Sequence, residues 1–306
     1  MKIIKSITNC YKKLSNFGKI LLLVGIFLII LILSKNRFKE NMTTNNRFTF
    51  LEDEAVYDEF YANIYDDLVY SGLKNNYELD IIIKNSSPNE SSMIADIGCG
   101  TGHHVNDLTN KNLKVIGIDI SPSMIELAKH TYPKSKFKIG NALNESLFNN
   151  NSLTHILCFY FTIYYFKNKS NFFNNCMQWL MPGGYLIVHL VDRESFDPIL
   201  PPGNPLYIVS PQKYAKDRIT KTKVTFNNFV YQANFNLDYN NDIATFDEKF
   251  KFKDGKVRKQ QQKLYMEDTS AIINIAQSCG FILQGKINMV KCAYEHQFIY
   301  IFIKPS

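Results

Sequence analysis

From residue 92 onward, short continuous apolar runs alternate with stretches of helical spacing. The runs Met93–Ile97, Val115–Asp119, Leu153–Phe159 and Tyr185–His189 are bounded by turn residues, which predicts buried parallel strands joined by right-handed helical crossovers. After Asp192 the period changes to two. Phe229, Tyr231, Ala233, Phe235, Leu237 and Tyr239 alternate strictly with polar residues, Asn240-Asn241-Asp242 marks a turn, and Ala244, Phe246, Phe250 and Phe252 continue the alternation on a partner strand. Asp254-Gly255 turns the chain again toward a polar third strand, so an antiparallel insertion is expected over about 200–260. Asp268 is placed to cap a helix running through Cys279, Gly280 to stop it, and Phe281–Asn288 with Gln297–Ile303 to form a closing hairpin. Upstream, Ala55–Leu68 has helical spacing, a second helix is expected over Tyr77–Lys84, and residues 35–54 are polar enough to serve as a linker.

One run near the N-terminus stands apart. Ile20–Leu33 contains no polar side chain; as a helix it extends about 21 Å, and Phe17–Ser34 with Lys19 snorkelling extends about 27 Å, against a hydrocarbon core of roughly 30 Å. The flank Ser34-Lys35-Asn36-Arg37 offers no small-residue cleavage site, and a buried soluble helix is rarely apolar all round between lysines. The expectation is an uncleaved transmembrane anchor over 20–34, preceded by a basic segment 1–19 and followed by the linker and a body over 55–306. Flanking charge favours a cytosolic N-terminus and hence a body on the far side. Six cysteines without disulfide spacing favour a cytosolic body, and that orientation is the one adopted.

Charge narrows the partners. The formal net charge is +7, and residues 1–40 carry eight bases against one acid, which accounts for all of it. A body with no net positive charge gives little support for phosphate neutralisation, so nucleic acid is not the expected partner.

The candidate chemistry sits in Asp96-Ile97-Gly98-Cys99-Gly100-Thr101-Gly102 and in Asp119, which ends the next apolar run. Glycines allow a sharp turn and close ligand approach, and a carboxylate at a strand end accepts ribose hydroxyls. A dinucleotide fingerprint G-x-G-x-x-G needs its third glycine where His103 stands, and so it does not match. Ser121-Pro122 after Asp119 reads as an N-cap and first helical residue. Gly140-Asn141-Ala142 and Pro182-Gly183-Gly184 follow at the next strand ends.

Together these motifs resemble the S-adenosylmethionine-dependent methyltransferases of Rossmann-like fold, over roughly residues 57–192. The resemblance implies an α/β fold: a seven-stranded, mostly parallel sheet with helices on both faces, an antiparallel β insertion after strand 5, and here an N-terminal transmembrane helix. It implies that Asp96, Gly98, Cys99, Gly100 and Gly102 face the methionine part of S-adenosylmethionine, that Asp119 holds the ribose, and that Ile120 and Met124 flank the adenine. Asn141 replaces the usual Asp of a G-D-A motif and its amide oxygen serves the adenine amino group beside Ala142. Phe159, at the end of the fourth strand, and Tyr65, in a helix that closes over the cofactor together with Tyr57, complete the expected contacts; aromatics at this spacing also have a plain core reading.

Methyl transfer from a sulfonium needs positioning more than acid–base chemistry. His189 near the end of the fifth strand is a candidate base, and Tyr160 and Tyr164 after the fourth strand are candidate substrate contacts; the competing reading makes all three interior residues. His103 and His104 point in different directions on a helix and lack a third ligand, so no metal is expected. The expected function is a membrane-tethered methyltransferase acting on a small-molecule or lipid-like acceptor. The alternatives are a protein methyltransferase and a non-catalytic scaffold that keeps the fold.

Overall fold

The computed structural model describes residues 19, 47–203, 212 and 215–306, and the chain divides at Arg47/Phe48 into an N-terminal unit and a body, Phe48–Ser306. The anchor expected over 20–34 lies outside the described residues. Among the described residues, no helix is long and apolar enough to cross a membrane.

The body holds two sheets. Strands β2 (Met93–Ile97), β3 (Lys114–Asp119), β4 (Lys136–Ile139), β5 (Leu153–Cys158), β6 (Leu180–Val191), β11 (Ile282–Asn288) and β12 (Gln297–Ile303) form a seven-stranded sheet in the order β11-β12-β6-β5-β2-β3-β4. The strands from β4 to β6 run parallel, and β12 is antiparallel to both β6 and β11. The order reverses between β2 and β5, where a doubly wound sheet opens a crevice at its carboxyl edge. Five helices flank this sheet: α2 (Gly72–Ser86), α3 (His103–Thr109), α4 (Pro122–Thr131), α5 (Lys169–Trp179) and α6 (Thr269–Ser278). Ile82, Val105 and Ile125 of α2 to α4 pack in one core, and Phe172, Trp179 and Ile272 of α5 and α6 in the other, so the helices cover both faces.

The second sheet has the order β1-β10-β9-β8-β7, from β1 (Phe48–Glu52), β7 (Lys221–Thr225), β8 (Phe229–Asp238), β9 (Ile243–Phe252) and β10 (Val257–Tyr265). The alternating residues Phe229, Tyr231, Ala233 and Phe235 are buried as their period predicts. Two expectations are corrected here. Residues 35–54 do not run as linker to their end, because Phe48–Glu52 pairs in parallel with β10; the polar average of the window concealed a five-residue strand. Asp268 precedes α6 but makes no side-chain cap bond; its carboxylate is 3.0 Å from Arg193 Nε, a charged partner stronger than a backbone N–H.

Helix α1 (Glu59–Val69) joins the two sheets. Asp58 caps it by accepting from Tyr61 N at 3.0 Å, and Arg258 of β10 donates to the other carboxylate oxygen at 2.7 Å. Ser121 caps α4 by accepting from Met124 N, and its hydroxyl donates to the Tyr57 carbonyl at 2.6 Å. One serine thus fixes both the start of the helix after β3 and the segment leading into α1.

Candidate functional site

The carboxyl ends of β2, β3 and β5, helix α1 and the second sheet line a cavity of about 430 Å³ that opens to solvent. That volume lies in the range of small-molecule sites, roughly 300–1,000 Å³. On the β2–β3 side it is lined by Gly98, Gly100, Asp119, Ile120, Met124 and Asn141. Facing them are Tyr57, Tyr65 and Tyr165, with Gln262, Phe246 and Leu264 of the second sheet.

The glycine turn is closed upon itself. Gly98 N and Cys99 N both donate to the Ile118 carbonyl at 2.8 and 3.0 Å, Gly102 N donates to Cys99 O at 3.0 Å, and Gly100 N donates to Asp119 Oδ2 at 2.9 Å. None of these four N–H groups remains for a pyrophosphate, the ligand that such turns serve in dinucleotide sites. Gly98 has φ +70°, and a Cβ there would lie 2.4 Å from Thr162 Oγ1; Gly100 lies beneath the Tyr65 ring. At Gly98 both the backbone and the Thr162 side chain demand glycine, whereas at Gly100 the Tyr65 ring would leave room for a Cβ and the left-handed φ of +53° is what favours glycine.

Asp119 is the polar centre of the cofactor side. Its second oxygen accepts from Ser121 N at 2.9 Å. Burial pushes its pKa up, and the backbone N–H groups that it accepts pull the other way. Each carboxylate oxygen carries one backbone bond and keeps lone-pair capacity toward the cavity, as a ribose diol requires. The residues therefore fit S-adenosylmethionine: Asp119 would hold the ribose hydroxyls, Ile120 and Met124 the adenine, and Gly98 with Gly100 the methionine chain. Asn141 and Ala142 line the cavity as expected, although Asn141 Oδ1 already accepts from Leu143 N at 2.8 Å.

Several expected contacts lie elsewhere. Asp96 is 2% exposed and does not line the cavity. Burial raises its pKa to about 7; His104 lowers it, and the Glu78 and Asp119 carboxylates raise it further. Cys99 turns its thiol onto β3, where Sγ would be 2.8 Å from a Cβ at Gly117. Gly102 is required by packing, since a Cβ there would lie 2.7 Å from the Phe137 ring. Phe159 belongs to the core behind the turn, its ring 5.0 Å from that of His104. Tyr65 and Tyr160 do line the cavity.

The catalytic candidates separate as well. His189 is fully buried, with Nδ1 2.6 Å from the Tyr160 carbonyl and Nε2 2.9 Å from the Gln297 side-chain amide. Burial lowers its pKa to about 4, Lys74 adds to the effect, and Glu78 opposes it. Tyr164 is buried with its hydroxyl accepting from Val191 N at 2.8 Å. Neither lines the cavity, so the interior reading describes both; Tyr160 alone of the three faces it. A depressed histidine pKa contributes stability above the unfolded value, near 6.5, that is lost as pH falls toward 4. The His189 ring resonances are accordingly expected not to shift between pH 5.5 and 8 in an NMR titration, and a midpoint inside that window would return His189 to the list of bases.

Thr162, Tyr165 and Gln262 were not anticipated from the sequence. Tyr165 and Thr162 occupy a single 3-10 turn after β5, too short to leave a periodic signal. Behind Gln262 lies Glu248, a lone carboxylate at a buried position of β9 between Phe246 and Phe250. An acid on the apolar face of a strand was the available signal.

Comparison with known proteins agrees with this geometry. Residues 95–188 match the family model described as a methyltransferase domain. The dTDP-4-amino-2,3,4,6-tetradeoxy-D-glucose N,N-dimethyltransferase of Saccharopolyspora spinosa is 27% identical over 148 residues, covering 46% of this chain and 58% of that protein. The dTDP-3-amino-3,6-dideoxy-alpha-D-glucopyranose N,N-dimethyltransferase of Streptomyces fradiae is 29% identical over 99 residues, covering 31% and 38%. The chain thus covers less than two thirds of either relative. The CcbJ methyltransferase of Streptomyces caelestis superposes with a TM-score of 0.63 at 13% identity, over 83% of this chain and all of that one. The internally closed glycine turn, the carboxylate after β3 and the matched segment agree: residues 95–188 carry a methyltransferase domain on a Rossmann-like sheet, with a site whose residues fit S-adenosylmethionine as the methyl donor.

Proposed function

We propose that this protein methylates a nitrogen of a small, polar acceptor of the amino-sugar class. The observation that carries the reading is the cavity shared by the cofactor turn and the second sheet: its far wall is Phe235, Phe246 and Leu264 beside the hydroxyls of Tyr57 and Tyr165, a surface of mixed polarity. A sugar-sized molecule offers both an apolar face and hydroxyls to such a wall. The amino-sugar relatives named above support the same class.

When bound, the cofactor supplies a methyl group already activated on a sulfonium. The residues then have to orient a neutral amine and exclude water. The new N–C bond forms as the S–C bond breaks, sulfur keeps the electron pair, and the product ammonium gives its proton to water. No histidine lines the cavity among the described residues, and burial raises the pKa of Tyr57, Tyr61, Tyr65, Tyr160 and Tyr165, so the phenols stay neutral. The amine itself, deprotonated before binding, is the nucleophile.

The full-length protein is to be incubated with methyl-labelled S-adenosylmethionine and four acceptors: a dTDP-4-amino sugar, its 4-hydroxy counterpart, phosphatidylethanolamine vesicles and a lysine-rich protein. Label is expected in the amino sugar. Label confined to the lipid or the protein would sink the reading. The apolar 20–34 run between its lysine flanks supports a membrane tether, and six cysteines without disulfide spacing support a cytosolic body against the flanking-charge bias; protease protection of intact vesicles tests this, since a body resistant to external protease in cytosol-side-out vesicles would place it on the other side.

A further inference from the structure

Three polar groups from different elements meet on the cavity wall: Tyr57 ahead of α1, Tyr165 at the end of its 3-10 turn, and Gln262 of β10. The Tyr57 and Tyr165 hydroxyls are 2.6 Å apart, Tyr57 is 3.1 Å from Gln262 Oε1, and Tyr165 is closer still to the same oxygen. The direction of these bonds is set from behind the wall. Glu248, 2% exposed, faces Gln260 across β9 and β10 and is surrounded by donors: Tyr231 Oη at 2.7 Å, Tyr61 Oη at 3.0 Å, Gln260 Nε2 at 2.6 Å and Gln262 Nε2 at 2.8 Å. Burial raises the Glu248 pKa and the four hydrogen bonds oppose that shift; four groups that can donate, with no acceptor among the amides, are the coordination of the carboxylate form. Gln262 must therefore turn its NH2 inward and its carbonyl oxygen toward the tyrosines. Gln260 is fixed the same way, with Oε1 accepting from Arg258 Nε at 2.7 Å.

A proton count orders the three groups. Three oxygens form a triangle, and the two phenols bring two protons. The two shortest edges must each hold one, because bare oxygens do not approach so closely. Tyr57 therefore donates to Tyr165, and Tyr165 donates to Gln262. In this arrangement the longest edge, Tyr57 to Gln262, which at 3.1 Å is also within reach of the Tyr57 proton, holds none. Tyr57 Oη is then the head of a one-way chain that ends in a buried carboxylate, and every bond behind it polarises it in the same sense. Toward the cavity it presents lone pairs and no proton.

We propose that Tyr57, with Tyr165 and Gln262 behind it, is a hydrogen-bond-accepting clamp that binds an N–H of the methyl acceptor, rejecting groups that only accept. The assignment rests on the amine reading above. An N–H held at Tyr57 turns the nitrogen lone pair away from the phenol, leaving it free for attack. Tyr165 shares its 3-10 turn with Thr162, the residue that covers Gly98, so the clamp is built on the same short segment that closes the cofactor turn. Tyr57 touches the acceptor itself; Tyr165, Gln262 and Glu248 act only through Tyr57 and are positioning residues.

The test uses full-length protein with dTDP-4-amino-4,6-dideoxyglucose and 2-amino-2-deoxyglucose as acceptors. Tyr57→Phe is expected to raise the acceptor KM about tenfold, the worth of one such bond, while the Kd for S-adenosylhomocysteine moves less than twofold. Glu248→Gln removes the obligatory acceptor, lets the Gln262 amide turn over, and is expected to raise KM similarly. An unchanged acceptor KM in a folded Tyr57→Phe protein overturns the clamp. Neutron diffraction from deuterium-exchanged wild-type crystals reads the polarity directly: the Tyr57 deuteron is expected on Tyr165, and a deuteron pointing into the cavity overturns the proposal. If neither amine yields S-adenosylhomocysteine with the wild type, the acceptor class fails and the deuteron position alone decides the clamp.

Discussion

Asp119→Ala is expected to lower the affinity for S-adenosylhomocysteine about a hundredfold. The carboxylate accepts from Gly100 N and Ser121 N, each at 2.9 Å, and lines the cavity beyond them. Alanine removes the only side chain at the β3 terminus able to accept ribose hydroxyls and releases the backbone of the glycine turn. Hydrogen bonds to a charged group contribute about 1.5–3 kcal/mol each, and about 3 kcal/mol is two orders of magnitude in Kd. Asp119→Asn should fall between, because its NH2 faces a backbone donor at one of the two positions while its oxygen serves the other. Isothermal titration calorimetry with S-adenosylhomocysteine separates the three proteins. If the alanine variant bound within threefold of the wild type, the cofactor would not sit against β3 as assigned.

Lys74→Met is expected to cost about 3–5 kcal/mol of stability, the usual result of leaving one buried charge without its partner. Glu78 is fully buried on α2, with Lys74 Nζ 2.7 Å from one oxygen and His104 Nε2 3.0 Å from the other. Burial alone raises the pKa of this carboxyl, but Lys74 and His104 outweigh it and hold it at about 2. A carboxylate so depressed contributes stability that is present above its unfolded value and lost only as pH falls through about 2. Without Lys74 the sign reverses: burial prevails, Glu78 takes up a proton under mildly acidic conditions, and the deficit against the wild type shrinks as pH is lowered toward 5. Thermal unfolding at pH 7.5 should drop by roughly 10 °C for a body of this size, and Lys74→Met combined with Glu78→Leu should recover much of it. A deficit independent of pH would show that Lys74 acts through packing, for instance on the Tyr160 ring beneath its ammonium at 5.0 Å.

The parts of the site that were legible in sequence are those whose chemistry is local. The turn from Gly98 to Gly102, Asp119 and the Ser121-Pro122 start of α4 are consecutive residues whose conformations follow from their own backbone limits. Side-chain direction was less legible, because Asp96, Cys99 and Phe159 adjoin the cavity in sequence while their side chains point into the packed layers behind it. The acceptor wall was hidden for a different reason. In β10 both faces are polar, with Arg258, Gln260 and Gln262 inward and Lys259, Gln261 and Lys263 outward, so no binary period distinguishes the buried face. Only Glu248, on an otherwise apolar face, marked where a hydrogen-bond network had to exist.

Strand β1 carries a further consequence. It enters the second sheet beside β10, and Arg258 reaches the Val56 carbonyl across 202 residues of sequence. The first strand of the body therefore has no sheet to join until nearly the whole chain has left the ribosome. Contacts this distant are slow to form, since loop closure precedes any gain from pairing. Until then Phe48 and Phe50, half exposed even in the finished fold, sit on an unpaired edge. Chains stalled or truncated before residue 257 should thus be the aggregating species during synthesis, with a chaperone's natural handle at the very start of the body.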